Sequence, residues 1–482
     1  MLTRKNLIAR NTVFYMLYQI LNVFFPFITS MYVARILLPS VIGDVTSAQN
    51  IATYFSILAF LGIPTYGIRE IAKVKDDEEK KSRVYSELFV INFLSTVFFL
   101  SVYLVIIFSV SKYRSDLELY LITGMTIAFN VINNEWLFSG LEEFSFIAIR
   151  SCLVKIISFV LLIIFVKEQN DYLVYAFITV FGSVGNYIIN IFCSHRYAKW
   201  TWKELKIKKH MKPILVLTAV NLAIEVYSLV DITMLGFFAS PDDVAFYSYG
   251  SRIFKIFLQA LNAVTLVVVP RLSQLFSQSD VEHFNILLRK TLLALITLSI
   301  PIVIGILLVS GDTITVIYGS VFLPSSDVLK LLSPMIIISP IGYLLGSRVL
   351  LVADKEKRMF ICVAIGALVN IVGNRILIPQ ISYIGAAVAS AISEIVIMII
   401  YIIMSKNYYK LKAVFPDILK ILIGAFIMGG CVYILKFIDL NNSFKLIVQV
   451  IVGGSVYLFF EYLLKEEIVR EYSSIIKNRL LL

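Results

Sequence analysis

The chain has 482 residues, of which 59% are hydrophobic and only 16% charged, with a mean hydropathy of +0.87. Soluble domains sit near about one half apolar and about one quarter charged, so a water-soluble protein of this length is excluded. The net charge of +11 is accounted for by loops facing anionic lipid, and nucleic acid is not expected as a partner.

A helix needs about 20 apolar residues to cross the hydrocarbon core. Fourteen spans are predicted, at 12–36, 45–68, 84–109, 117–139, 145–167, 171–194, 213–239, 245–270, 284–310, 328–353, 358–379, 383–405, 415–438 and 444–465. The expected fold is an all-α polytopic membrane protein, because none of these runs alternates with the period of barrel strands. The opening "MLTRKNLIARNTVFYML" has a basic start like a signal peptide. Its apolar run is too long and lacks a small-residue cleavage site, so span 1 is expected to be retained.

Polar residues collect on faces of these spans. Span 1 aligns Tyr15, Tyr18, Gln19, Asn22 and Thr29, with Pro26 available for a kink. Arg35 ends that span on the opposite side, as an interfacial anchor or a ligand. Span 2 aligns Thr46, Gln49, Asn50 and Thr53. Span 4 carries Asn130 and Asn134, and the following Glu135 is expected to pair with Lys155 of span 5. Span 7 carries Asn221, Glu225, Ser228 and Asp231. In span 8, at 100° per residue, Ser248, Ser251, Arg252, Lys255, Gln259 and Asn262 form a stripe about 100° wide. Span 10 has Pro334 and Pro340, which suggest a broken or bent helix, and Arg348, again anchor or ligand. Span 11 has Asn370 and Asn374; span 12 has Ser390, Ser393 and Glu394.

Arg or Lys at the bilayer centre costs about 2.5–3.5 kcal/mol each, so the span 8 stripe is expected to face an aqueous cavity. The alternative is snorkelling of Arg252 and Lys255 to the interface, which Gln259 and Asn262, lying deeper, do less readily. An isolated Asn or Ser more often makes an interhelical hydrogen bond; coincident faces in both halves favour a shared lumen. The acidic Glu225, Asp231 and Glu394 are the candidate ion-coupling groups, with H+ or Na+ as the ion.

Alternate loops, beginning with 1–11 and ending with 466–482 joined by Lys465, hold 30 of the 43 Lys+Arg residues, and the opposite loops hold five. The positive-inside rule then places both termini in the cytoplasm. "LPSVIGDVTSAQNI" resembles "SPDDVAFYSYGSRI", and an offset of 202 pairs Ile51 with Ile253 and Arg69 with Arg271. These matches suggest a duplication: two pseudo-repeated six-helix lobes, 1–200 and 201–410, followed by 411–482 with spans 13 and 14. The substrate path is expected between the halves.

No metal or cofactor is expected. The histidines, His195, His210 and His283, lack ligand spacing, and the cysteines, Cys152, Cys193, Cys362 and Cys431, read as small core residues. No phosphate-binding glycine loop occurs. A membrane glycosyltransferase would need a sizeable outer loop, and none exceeds about 17 residues, too short for a folded domain. Transport is favoured over catalysis.

"FLGIPTYGIREIAK", "VDITMLGFFASPDDVAFYSYGSRIFKI", "VVPRLSQL" and "VNIVGNRILIPQISYIGAAVASAISE" resemble the Wzx-type polysaccharide flippases, which export O-antigen and capsule repeat units. These sit in the superfamily of multidrug, oligosaccharidyl-lipid and polysaccharide exporters. The most specific portions are Asp231–Leu235–Gly236 and the Asn370, Asn374, Pro379, Gly385, Ala386, Ala387 pattern. "IPQISYIGAA" departs from the family's shorter link, which leaves the turn after span 11 open. The resemblance implies a bacterial cytoplasmic-membrane flippase that moves undecaprenyl-pyrophosphate-linked oligosaccharide outward by rocking two lobes. A polysaccharide polymerase and glycosyltransferases are the expected neighbours. Arg252 and Lys255 then suit the pyrophosphate, and Tyr18, Gln19, Asn22, Asn50, Gln259 and Asn262 suit the glycan or the cavity wall, with Arg35 a further candidate. The alternatives are a lipid II-type flippase, or a multidrug/cation antiporter using Glu225, Asp231 and Glu394.

Overall fold

The computed structural model describes residues 4–411 and 414–471, and every regular element among them is helical. The side chain of Tyr15 and the basic Lys412, Lys477 and Arg479 lie outside what is described. Among the described residues ten helices are long and apolar enough to cross a membrane, or eleven when the bent pair Ile207–Ala223 and Glu225–Phe238 counts as one. Two local features account for part of the difference from the fourteen expected spans, and α1, Arg4–Val33, is not among those counted. The segments 358–379 and 383–405 run together as one helix, Glu356–Ser405, interrupted by non-helical backbone at Ile381 and Ser382. The segment 117–139 is broken into a helix Leu117–Phe129, a 3-10 turn Asn130–Ile132 and a short helix Glu135–Gly140.

The chain divides into two compact units. The first comprises Met1–Gly236 and Ser240–Ala245. Its helices are α1 (Arg4–Val33), α2 (Pro39–Phe60), α3 (Ile63–Val74), α4 (Glu78–Ser109), α5 (Ser111–Arg114), α6 (Leu117–Phe129), α7 (Glu135–Gly140), α8 (Phe144–Phe165), α9 (Tyr172–Ser194) and α10 (Ile207–Phe238), the last as far as Gly236. Pro39 opens α2, where its missing N–H is no loss. Asp77 caps α4 by accepting from the Lys80 N–H at 3.0 Å, and that bond holds its carboxyl below the usual carboxylate range. One core gathers Tyr103, Ile107, Tyr113, Tyr120 and Ile127. Tyr103 fits because Gly124 leaves it room: a Cβ there would stand 2.6 Å from its ring, and its hydroxyl donates to the Tyr120 carbonyl at 2.7 Å. A second core joins Ile63, Tyr66, Trp136 and Leu137 to Ile214 at the start of α10.

The division falls beyond the boundary at 200 drawn from the sequence. The basic loop 195–206 and α10 are tied to the first unit. Thr201 N donates to Ser86 Oγ at 2.9 Å, Lys206 N to Glu87 Oε1 at 2.6 Å, and Asn50 Nδ2 to Thr233 Oγ1 at 2.8 Å. The buried chain Glu87–His210–Tyr66, with contacts of 2.7 and 2.8 Å, makes the same attachment.

The second unit comprises Phe237–Ala239 and Phe246–Leu482. It takes α11 (Pro241–Ser277) from Phe246 onward, then α12 (Val281–Tyr318), α13 (Ser325–Leu332), α14 (Met335–Gly342), α15 (Val349–Val352), α16 (Glu356–Ser405), α17 (Phe415–Leu435) and α18 (Asn442–Leu463). Span 10 is interrupted at one of its two prolines. Pro334 separates α13 from α14, and a π-helical turn Tyr343–Arg348 follows α14. At that turn Gly346 lies against Tyr401 of α16. Helices α12, α17 and α18 pack together through small residues, with Gly429 facing Ile304 and Gly453 facing Val432.

Candidate functional site

Each unit carries its own set of intramembrane polar groups. In the first unit Glu135, opening α7, is the centre. Tyr18 of α1 donates to its Oε1 at 2.7 Å, and Arg150 of α8 donates to its Oε2 at 2.9 Å. Arg150, only 3% exposed, also donates Nε to Asn186 Oδ1 of α9 at 3.2 Å. The expected Glu135–Lys155 pair is corrected here. Lys155 sits more than a turn further along α8 and donates to Asn22 instead. Tyr18 and Asn22 are themselves a turn apart on α1, so α1 meets α8 directly at Asn22 and through Glu135 of α7 at Tyr18. Arg150 and Asn186 were not singled out from sequence.

The remaining first-unit candidates separate by exposure. Asn50 is buried and bonded to α10 through Thr233 Oγ1 and, at 3.3 Å, the Leu229 carbonyl. Gln49 donates to Thr179 at 2.7 Å, while Thr46 and Thr53 bond carbonyls of their own helix. Gln19 and Arg35 are exposed, and Glu225 and Asp231 are half-buried on α10.

In the second unit the α11 stripe is graded. Ser248 and Ser251 are buried, Arg252 and Asn262 half-buried, Lys255 and Gln259 exposed. The Arg252 guanidinium lies 5.2 Å from the centre of the Tyr249 ring. Tyr249 is in turn fixed by Phe322 and Tyr318, at 4.7 and 4.6 Å between ring centres. The buried Oδ1 of Asn262 has no hydrogen-bond partner. Further along α11, Thr265 accepts from Arg348 Nε at 3.3 Å. Both units thus hold cations inside membrane helices, each positioned by an aromatic or amide neighbour.

The amides of α16 form a neutral chain. Asn374 Nδ2 donates to Asn370 Oδ1 and Asn370 Nδ2 to Ser390 Oγ, each at 3.2 Å, and Tyr247 of α11 reaches Ser390 at 3.4 Å. Glu394 accepts from Ser339 of α14 at 2.7 Å. Arg375, next to Asn374, lies 4.8 Å from the Phe238 ring centre and was not singled out from sequence. Among the described residues no three His, Cys, Asp or Glu side chains come together as metal donors.

The family pattern described as "Polysaccharide biosynthesis protein" matches residues 8–276, more than half the chain. The chain belongs to the polysaccharide biosynthesis protein family. A second pattern, MatE, matches residues 217–376. A putative O-antigen transporter of Shigella dysenteriae is 25% identical over 373 residues, covering 76% of this chain and 91% of its own length. A probable low-salt glycan biosynthesis flippase, Agl15 of Haloferax volcanii, is 25% identical over 232 residues, covering 48% of this chain. The chain spans 49% of that relative's length. A solved structure of the lipid II flippase MurJ, in an inward closed conformation, shares the fold with a TM-score of 0.72 at 20% identity, over 98% of this chain and 100% of that one. The chain shares that fold, and its many apolar helices make it a multi-pass membrane protein.

Proposed function

We propose that this family member is a flippase for lipid-linked oligosaccharide, carrying an undecaprenyl-pyrophosphate-bound repeat unit outward across a bacterial cytoplasmic membrane by alternating access. The observation that carries the reading is the α11 stripe. Arg252 and Lys255 sit one turn apart within a helix otherwise fit to span the bilayer, a costly place for charge and one where it can serve an anionic ligand. A pyrophosphate suits that pair. Gln259 and Asn262 continue the same face with the amide groups that a glycan accepts. In the first unit Tyr18 and Asn22 belong to the Glu135–Arg150 and Lys155 contacts, so they shape the wall of the polar face. The relatives named as O-antigen transporter and glycan flippase support this substrate class.

The test is translocation of a fluorescent undecaprenyl-pyrophosphate-linked sugar in proteoliposomes. Removing a charge-assisted hydrogen bond costs about 1.5–3 kcal/mol, so Arg252→Ala should slow flipping about ten- to a hundredfold at normal membrane abundance. Arg252→Lys should retain part of the activity. Full flipping by the alanine variant removes Arg252 from the head-group site. For the antiporter reading, Asp231→Asn or Glu394→Gln should abolish dependence on a proton or sodium gradient. Unaltered gradient dependence in both variants eliminates these carboxylates as coupling groups.

A further inference from the structure

Glu461 lies near the end of α18, 0% exposed, and neither carboxylate oxygen has a hydrogen-bond partner. It is aimed at α17, where a Cβ on Gly424 would stand 2.2 Å from Oε1. The acid therefore fills the space that the glycine leaves empty. One turn earlier on the same face, Tyr457 donates to the Thr297 carbonyl of α12 at 2.7 Å. Just beyond α18 the equally buried Glu466 accepts from Thr297 Oγ1 at 3.4 Å and from Val469 N at 2.7 Å.

The charges around this acid do not neutralise it. Glu466 and Lys420 are the ones that bear on Glu461. Lys420 Nζ reaches Asp417 at 3.6 Å and the Lys465 carbonyl at 3.5 Å. On α12, Arg289 is held by Asp417 and Glu467 at 2.8 and 2.7 Å, and Lys290 by Glu471 at 2.8 Å. Each of these cations is engaged by another acid, while Glu461 accepts from no donor. An ionised carboxylate so placed, beside a second buried carboxylate, is heavily penalised; a bound proton removes the charge.

We propose that Glu461 forms a proton-binding site in the C-terminal helix pair, its carboxyl holding a proton in the folded protein. The site is distinct from Glu225, Asp231 and Glu394, and it does not depend on the substrate assigned above. Its proton holds α17 and α18 against α12, since deprotonation places two like charges in a dry helix contact.

Infrared spectra and thermal melting of the purified protein, wild type against E461Q, test this. A carboxylic-acid carbonyl absorption should persist in the wild type at neutral pH and be lost in E461Q. The wild-type melting temperature should fall as the pH rises, because a proton bound in the fold is then released. Glutamine imitates the neutral acid, so E461Q should flatten this fall and melt no lower than the wild type at alkaline pH. Absence of the acid absorption, or an unchanged pH slope in E461Q, overturns the proposal. A sodium-dependent rise in melting temperature that E461Q abolishes overturns the proton in favour of a metal cation. E461M is the second neutral variant. If neither folds, the site needs its charge, and the proposal fails.

Discussion

Glu135 and Arg150 show how one buried contact decides the role of several residues. The ion pair gives Arg150 its main charge partner, while its Nη1 remains unpartnered. Glu135→Gln leaves the guanidinium buried without its anion, a change of about 3–5 kcal/mol for a fully buried pair. Because the Glu135 side chain is 26% exposed, the lower end of that range is expected. Replacing Arg150 by Met in the same protein should recover part of the loss, since the orphaned charge then disappears. Thermal unfolding of the wild type and the two variants in detergent reads this directly. An unchanged melting temperature for Glu135→Gln would show that the pair contributes nothing. The residue types in this network were visible in sequence, but their partners were not, because Tyr18 lies 117 positions from Glu135.

Helix breaks are legible in part. Pro334 announces the break between α13 and α14, whereas the π-helical turn at Tyr343–Arg348 has no comparable sequence signal. The turn after span 11 falls at Ser382, whose φ of 50° and ψ of −131° suit glycine, and whose hydroxyl is buried without a partner. Ser382→Gly relieves both penalties and should stabilise the protein by about 1 kcal/mol, read as a raised melting temperature. A lower one would mean that the serine side chain is required. Gly346→Ala should act oppositely. Its Cβ would stand 2.1 Å from the Tyr401 Cβ, and overpacking of this kind costs about 1–3 kcal/mol. Wild-type stability in that variant would show that the π-helical turn shifts freely.

At the scale of the whole molecule, loop charge makes a prediction about sidedness. A reporter inserted between residues 200 and 205 should be cytoplasmic, and one between 319 and 324 external. Both reporting the same side would refute the alternating topology. The membrane class, the helical fold and the polar stripe of α11 follow from the sequence alone, because hydropathy and a 3.6-residue period are local properties. Tertiary structure alone decides which polar groups are used up within the protein. It commits Asn50 to Thr233 and Lys155 to Asn22, and leaves Glu461 without a donor. The physical reason is that a buried polar group is satisfied by whichever helix packs against it, and that neighbour is set by the fold rather than by distance along the chain.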